Sequence, residues 1–115
     1  MRLFDVGTVR ACGLSRLGNA VAARFALEPG RFWLHLDLDV LDEKVLPAVD
    51  YRMPGGLDWD ELDDLIRPLV TLPALIGMDV TILNPELDPS GEYARRTARL
   101  LGNLLNAGQP PMIEA

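Results

Sequence analysis

An α/β fold built on a parallel sheet is what this sequence predicts, and three observations predict it. Strand-like and helix-like segments alternate three times along the chain, the order produced by right-handed crossovers between parallel strands. The stretch Phe32–Asp42 alternates Leu34, Leu36 and Leu38 with His35, Asp37 and Asp39, yet is flanked by Phe32, Trp33, Val40 and Leu41. That pattern reads as a strand buried on both faces. Its carboxylates gather at the C-terminal end, where open α/β sheets bind their ligands.

The elements follow in order. Residues 2–6 form a first strand closed by Gly7, and Thr8 caps a helix over 8–27 that Gly13 and Gly18 weaken. Leu14, Leu17, Val21, Ala22 and Phe25 supply its apolar stripe, and Glu28-Pro29-Gly30 ends it. Arg31 opens the central strand, and a long loop, 43–57, carries Pro47, Pro54, Gly55 and Gly56. Loops of that length are more often functional than decorative. Asp58 with Glu61 resembles a capping box, followed by the stripe Leu62, Leu65, Ile66 and Leu69. The acidic residues of that helix read as a solvated face favoured by the helix dipole. Pro68 and Pro73 bracket the helix end. Residues 74–83 read as a further buried strand, its apolar pattern broken only by Gly77 and Asp79. Asp88 or Ser90 caps the last helix, Arg95, Arg96 and Arg99 lie on its wet side, and Gly108 stops it.

The chain's 115 residues fit one domain, assigned to 1–108, with 109–115 as a flexible tail. A net charge of −6 and a pI near 4.6 speak against a nucleic-acid surface. The longest uncharged run, between Arg67 and Asp79, contains two prolines and is too short to cross a bilayer. The one cysteine, Cys12, excludes an intramolecular disulfide, reads as a small core residue, and fits a reducing, cytoplasmic setting.

Two ionised carboxylates side by side in an apolar sheet need a compensating charge, and a divalent cation with hard oxygen ligands supplies one. The plainer reading makes Asp37, Asp39 and Asp42 solvated loop residues just past a shorter strand. Asp-x-Asp alone leaves both readings open.

The longer run HLDLDVLDEKVLPAVDYRMPGGL resembles the arginase/agmatinase (ureohydrolase) family: a strand ending Asp-x-Asp, a further Asp, a Pro-bearing loop and Gly-Gly before a helix. Residues 77–85, GMDVTILNP, resemble the family's last strand and turn. The resemblance implies a three-layer α/β/α fold, incomplete here, with two Mn ions at strand ends activating a hydroxide that attacks a guanidino or amidino carbon. By match, Asp37 and Asp39 are metal ligands. His35, which stands where the family carries a small polar residue, is a second-shell or core histidine, and Asp42, Tyr51, Gly55 and Gly56 are second-shell or substrate-loop positions. No residue is assigned as catalytic.

Two departures stand beside the match. The family's remaining metal ligands, a His and an Asp/His cluster, belong to an N-terminal part without counterpart here, and this chain has a single His. Ile82 occupies the place of the family's guanidinium-binding Glu, which removes the charge partner of a cationic substrate. The chain is therefore expected to be inactive alone, or to be a non-catalytic module that retains the fold. Family strands intervene between those matching 2–6 and 32–39, so unpaired edges are expected to drive pairing with another copy or with a complementary chain.

Overall fold

The computed structural model describes residues 1–107. It contains α1 (Val6–Cys12), α2 (Leu14–Leu27), β1 (Phe32–Asp37), α3 (Trp59–Val70), β2 (Leu75–Thr81) and α4 (Glu92–Ala107), with short 3-10 turns at Leu38–Val40 and Pro85–Leu87. β1 and β2 pair in parallel, with Trp33 opposite Gly77, His35 opposite Asp79 and Asp37 opposite Thr81. The α/β class and the parallel sheet are as the sequence predicts.

The sheet itself is a two-stranded ribbon. The core joins Leu36 of β1, Leu38 and Leu41 just beyond it, Leu62 and Ile66 of α3, and Leu100 and Leu104 of α4. These helices therefore cover one face only, and α2 packs beyond them against α3. On the other face Trp33 is 58% exposed, His35 is exposed, and Asp37 and Asp79 are partly so. The expectation of burial on both faces is thus corrected: among the described residues, nothing forms a layer above the odd-numbered residues of β1. A shortest dimension of 21 Å fits a sheet and one helical layer at spacings of about 10 Å.

Several element boundaries differ from expectation. Residues 2–6 form no strand, because the Asp5 carboxylate accepts a hydrogen bond from the Thr8 amide at 2.7 Å and caps α1. A strand there would leave its backbone groups unpaired, so the cap wins. Asp5, not Thr8, is the N-cap. Gly13, at φ +89°, divides the expected single helix in two. Gly18 remains inside α2 because α3 passes against it; a Cβ there would lie 2.3 Å from the Leu65 carbonyl oxygen. Cys12 is exposed rather than in the core.

α3 continues through Pro68 to Val70. The proline forfeits one backbone bond, but the capping box forms as expected, with the Glu61 amide donating to Asp58 at 2.7 Å and the Asp58 amide donating to Glu61 at 3.1 Å. Burial of Leu62 and Ile66 holds the rest. Both expected caps act before α4: Asp88, 6% exposed, accepts from the Tyr93 and Ala94 amides, and Ser90 accepts from that of Glu92. Arg95, Arg96 and Arg99 are exposed as expected. Gly108 and the tail lie outside the described residues.

β2 ends at Thr81, two residues early, because Ile82 has φ +87°. For a β-branched residue this conformation is strained by about 1–3 kcal/mol. It is held from both sides: the Thr81 hydroxyl donates to Asp37, and the Asn84 amide donates to the Ala48 carbonyl at 2.9 Å.

Candidate strand-end site

β1 stops at Asp37, and Asp39 belongs to the 3-10 turn that follows. The two residues therefore do not share a strand face, although both stand at the carboxyl end of the ribbon. Asp37 lies beside His35, whose Nε2 is 3.0 Å from Asp37 Oδ1. Nδ1 of the same ring is 2.6 Å from Asp79 Oδ2. Two further groups close the row, the Thr81 hydroxyl on Asp37 and the Trp33 indole N–H on Asp79 at 2.5 Å. The Asp79 hydrogen bond, with Asp37 adding to it, holds the His35 pKa above its ordinary value of 6.5. The indole N–H and then His35 hold the Asp79 carboxyl below its ordinary range. His35 is thus neither core nor remote: it bridges the two strands.

A second cluster shapes the loop. Asp42 accepts from the Gly55 amide at 2.8 Å and from the Lys44 amide at 2.8 Å, which lowers its pKa, the Lys44 contribution first. Gly55 adopts φ +82°, a conformation glycine adopts without strain. Gly56 passes so close to the strand-end turn that a Cβ would lie 2.5 Å from the Asp42 nitrogen and 2.6 Å from the Val40 oxygen. Tyr51, at the loop's far side, is 82% exposed.

Arg10 of α1 locks this loop to α3. Its guanidinium donates twice to Glu61, at 3.2 Å each, and to the carbonyls of Gly56 at 2.7 Å and Gly55 at 3.5 Å. The pair lowers the Glu61 pKa, with Arg10 as the largest cause. The sign follows: the contribution of Glu61 to stability is present above its unfolded value of 4.5 and is lost as pH falls through the lower folded value. Arg10→Ala is expected to move the Glu61 midpoint back up toward 4.5, read by carboxyl carbon NMR; an unmoved midpoint would show the clamp to be absent in solution.

Sequence pattern assigns no site role to Arg10, Asp79, Thr81 or Trp33. A usable signal existed for three of them. Gly77, Asp79 and Thr81 recur at every second position, as do Trp33, His35 and Asp37, which marks one polar face across two strands. Arg10 has no such signature, since its partners are far away in sequence.

The arginase family signature matches residues 1–107. The arginase of Brucella melitensis is 29% identical over 103 residues, covering 90% of this chain and 34% of the relative. The N(1)-aminopropylagmatine ureohydrolase of Thermus thermophilus is 35% identical over 72 residues, 62% of this chain and 23% of that protein. The crystal structure of formimidoylglutamase from Bacillus subtilis superposes with a TM-score of 0.85 at 23% identity, covering 97% of this chain and 35% of its own. The chain therefore spans about a third of the Brucella and Bacillus proteins it matches. With that signature running across every described residue, and the fold matching alongside it, the chain belongs to the arginase family.

Proposed function

We propose that this chain is the strand-end portion of a ureohydrolase-type hydrolase of guanidino or amidino C–N bonds, inactive until further residues complete the site. Family membership supports the reading, together with one geometric observation: Asp37 and Asp39 stand at the carboxyl end of a parallel strand, beside a loop that Asp42 and Arg10 hold in place. A manganese pair, bound in a completed site, would supply activated water. The residues of this chain do not fit such a pair by themselves. Two carboxylates leave most positions of two cations open, and among the described residues no group of three His, Cys, Asp or Glu side chains is placed to hold a metal ion. Within a completed site this chain's own contribution is to orient Asp37 through Thr81 and to fix the loop over the strand end.

Among the described residues each strand is paired only with the other, so the ribbon's outer edges favour completion by further strands. The same edges favour a second reading, a non-catalytic module that associates through them. Among the described residues no helix is long and apolar enough to cross a membrane; a cytoplasmic setting, where Cys12 stays reduced, belongs to this proposal.

The chain alone, with manganese added, is expected to release no urea from arginine or agmatine, and no formamide from formimidoylglutamate, above a protein-free control. Turnover that Asp37→Ala abolishes would overturn the claim of incompleteness. Sedimentation equilibrium at micromolar concentration is expected to show a mass above that of one chain, and a strictly monomeric mass would remove the module reading.

A further inference from the structure

The open face of the ribbon carries one carboxylate from each strand, Asp37 and Asp79, and a single ring meets both. Nε2 of His35 is 3.0 Å from Asp37 and Nδ1 is 2.6 Å from Asp79. A carboxylate only accepts hydrogen bonds, so the ring stands between two acceptors with one nitrogen turned to each. The outer flanks are closed as well, by the Thr81 hydroxyl on Asp37 and the Trp33 indole on Asp79. A divalent cation shared by the two carboxylates would sit about 2.0–2.6 Å from an oxygen of each. The ring already fills that interval.

We infer that His35 takes the place of a metal ion between Asp37 and Asp79: the chain fills the gap between its sheet-face carboxylates with its own side chain and builds no metal centre from its own residues. The donor set agrees, because among the described residues no group of three His, Cys, Asp or Glu side chains is placed to hold a metal ion. His35 is in this sense a positioning residue for Asp37. Removing the ring leaves like charges on neighbouring strands, which destabilises a sheet, and opens a place that an added cation fills. The inference stands whether or not a completed assembly hydrolyses anything.

The test uses the full chain as wild type, as His35→Ala, and as His35→Ala with Asp79→Asn. Bound Mn(II) is counted from the loss of the free-ion EPR signal, and Tm is measured in EDTA and in manganese. The wild type is expected to keep one Tm in both media. His35→Ala should show a lower Tm in EDTA, recovery on adding manganese, and manganese binding at least tenfold tighter than the wild type. The double variant should regain the wild-type Tm in EDTA and lose the added manganese affinity. Because His35 is the only histidine in the chain, its ring resonances give a readout on the unmutated protein: they should stay sharp at substoichiometric Mn(II). Strong broadening there, two tight ions on the wild type, or a His35→Ala variant that neither manganese nor Asp79→Asn restores would each overturn the inference. Should His35→Ala not fold in EDTA, folding on addition of manganese supports the inference, and failure to fold in both media overturns it.

Discussion

Replacing Leu46 by alanine is expected to lower the unfolding free energy by about 2–5 kcal/mol, the range for a fully buried leucine. The size is notable because Leu46 lies in the loop between β1 and α3, not in a helix or strand. It is 0% exposed, as is Ala48, while Val49 is 2% exposed. The loop's side chains thus enter the same core as Leu36, Leu62 and Leu104. Its backbone is paired too, through Leu57 to Val40, Asp42 to Leu57 and Asn84 to Ala48. Urea unfolding of the variant with an unchanged slope measures the loss. A change below about 0.5 kcal/mol, the ordinary surface value, would place Leu46 outside the core.

Gly56→Ala should be comparably severe and more local in origin. The new Cβ meets three backbone atoms of Val40, Leu41 and Asp42 at 2.5 to 2.6 Å, none of which is a side chain able to swing aside. Forced shifts of this kind cost about 1–3 kcal/mol and occasionally more. The displaced segment contains the turn bearing Asp39 and the two backbone bonds that join residues 40 and 42 to Leu57. Faster hydrogen exchange at the Asp42 and Leu57 amides, with the α4 amides unchanged, is the expected signature. Unaltered protection at both amides would contradict the close approach. Gly55→Ala is strained for a different reason, its positive φ, and has open space around it, so the two glycines are not equivalent.

Much of this was legible in the residues themselves. Asp58 and Glu61 announce the start of α3 by their spacing, and Asp88 and Ser90 that of α4, because capping is a local competition for backbone amides. The parallel ribbon follows from two apolar runs separated by a helix. What stayed hidden depends on neighbours that sequence pattern does not supply. Residues 2–6 have the composition of a strand, but no strand stands beside them, and Asp5 then serves better as a cap. The face carrying Trp33, His35 and Asp37 was expected to be covered because the apolar flanks of β1 suggested two layers, whereas the helices present cover only one. Asp39 was assigned to the strand by alternation, which continues through Leu38 even though the backbone turns there. His35 was set beside the acidic residues, yet its link to Asp79 spans the ribbon and appears only once the register is known.

The bonds of Arg10 join the least buried helix to the most constrained turn. Of α1 only Val9 is buried, yet Arg10 reaches the Gly55 and Gly56 carbonyls and the capping residue Glu61. Disturbing α1 would therefore act at a distance, loosening the bend that carries Asp39 and Asp42.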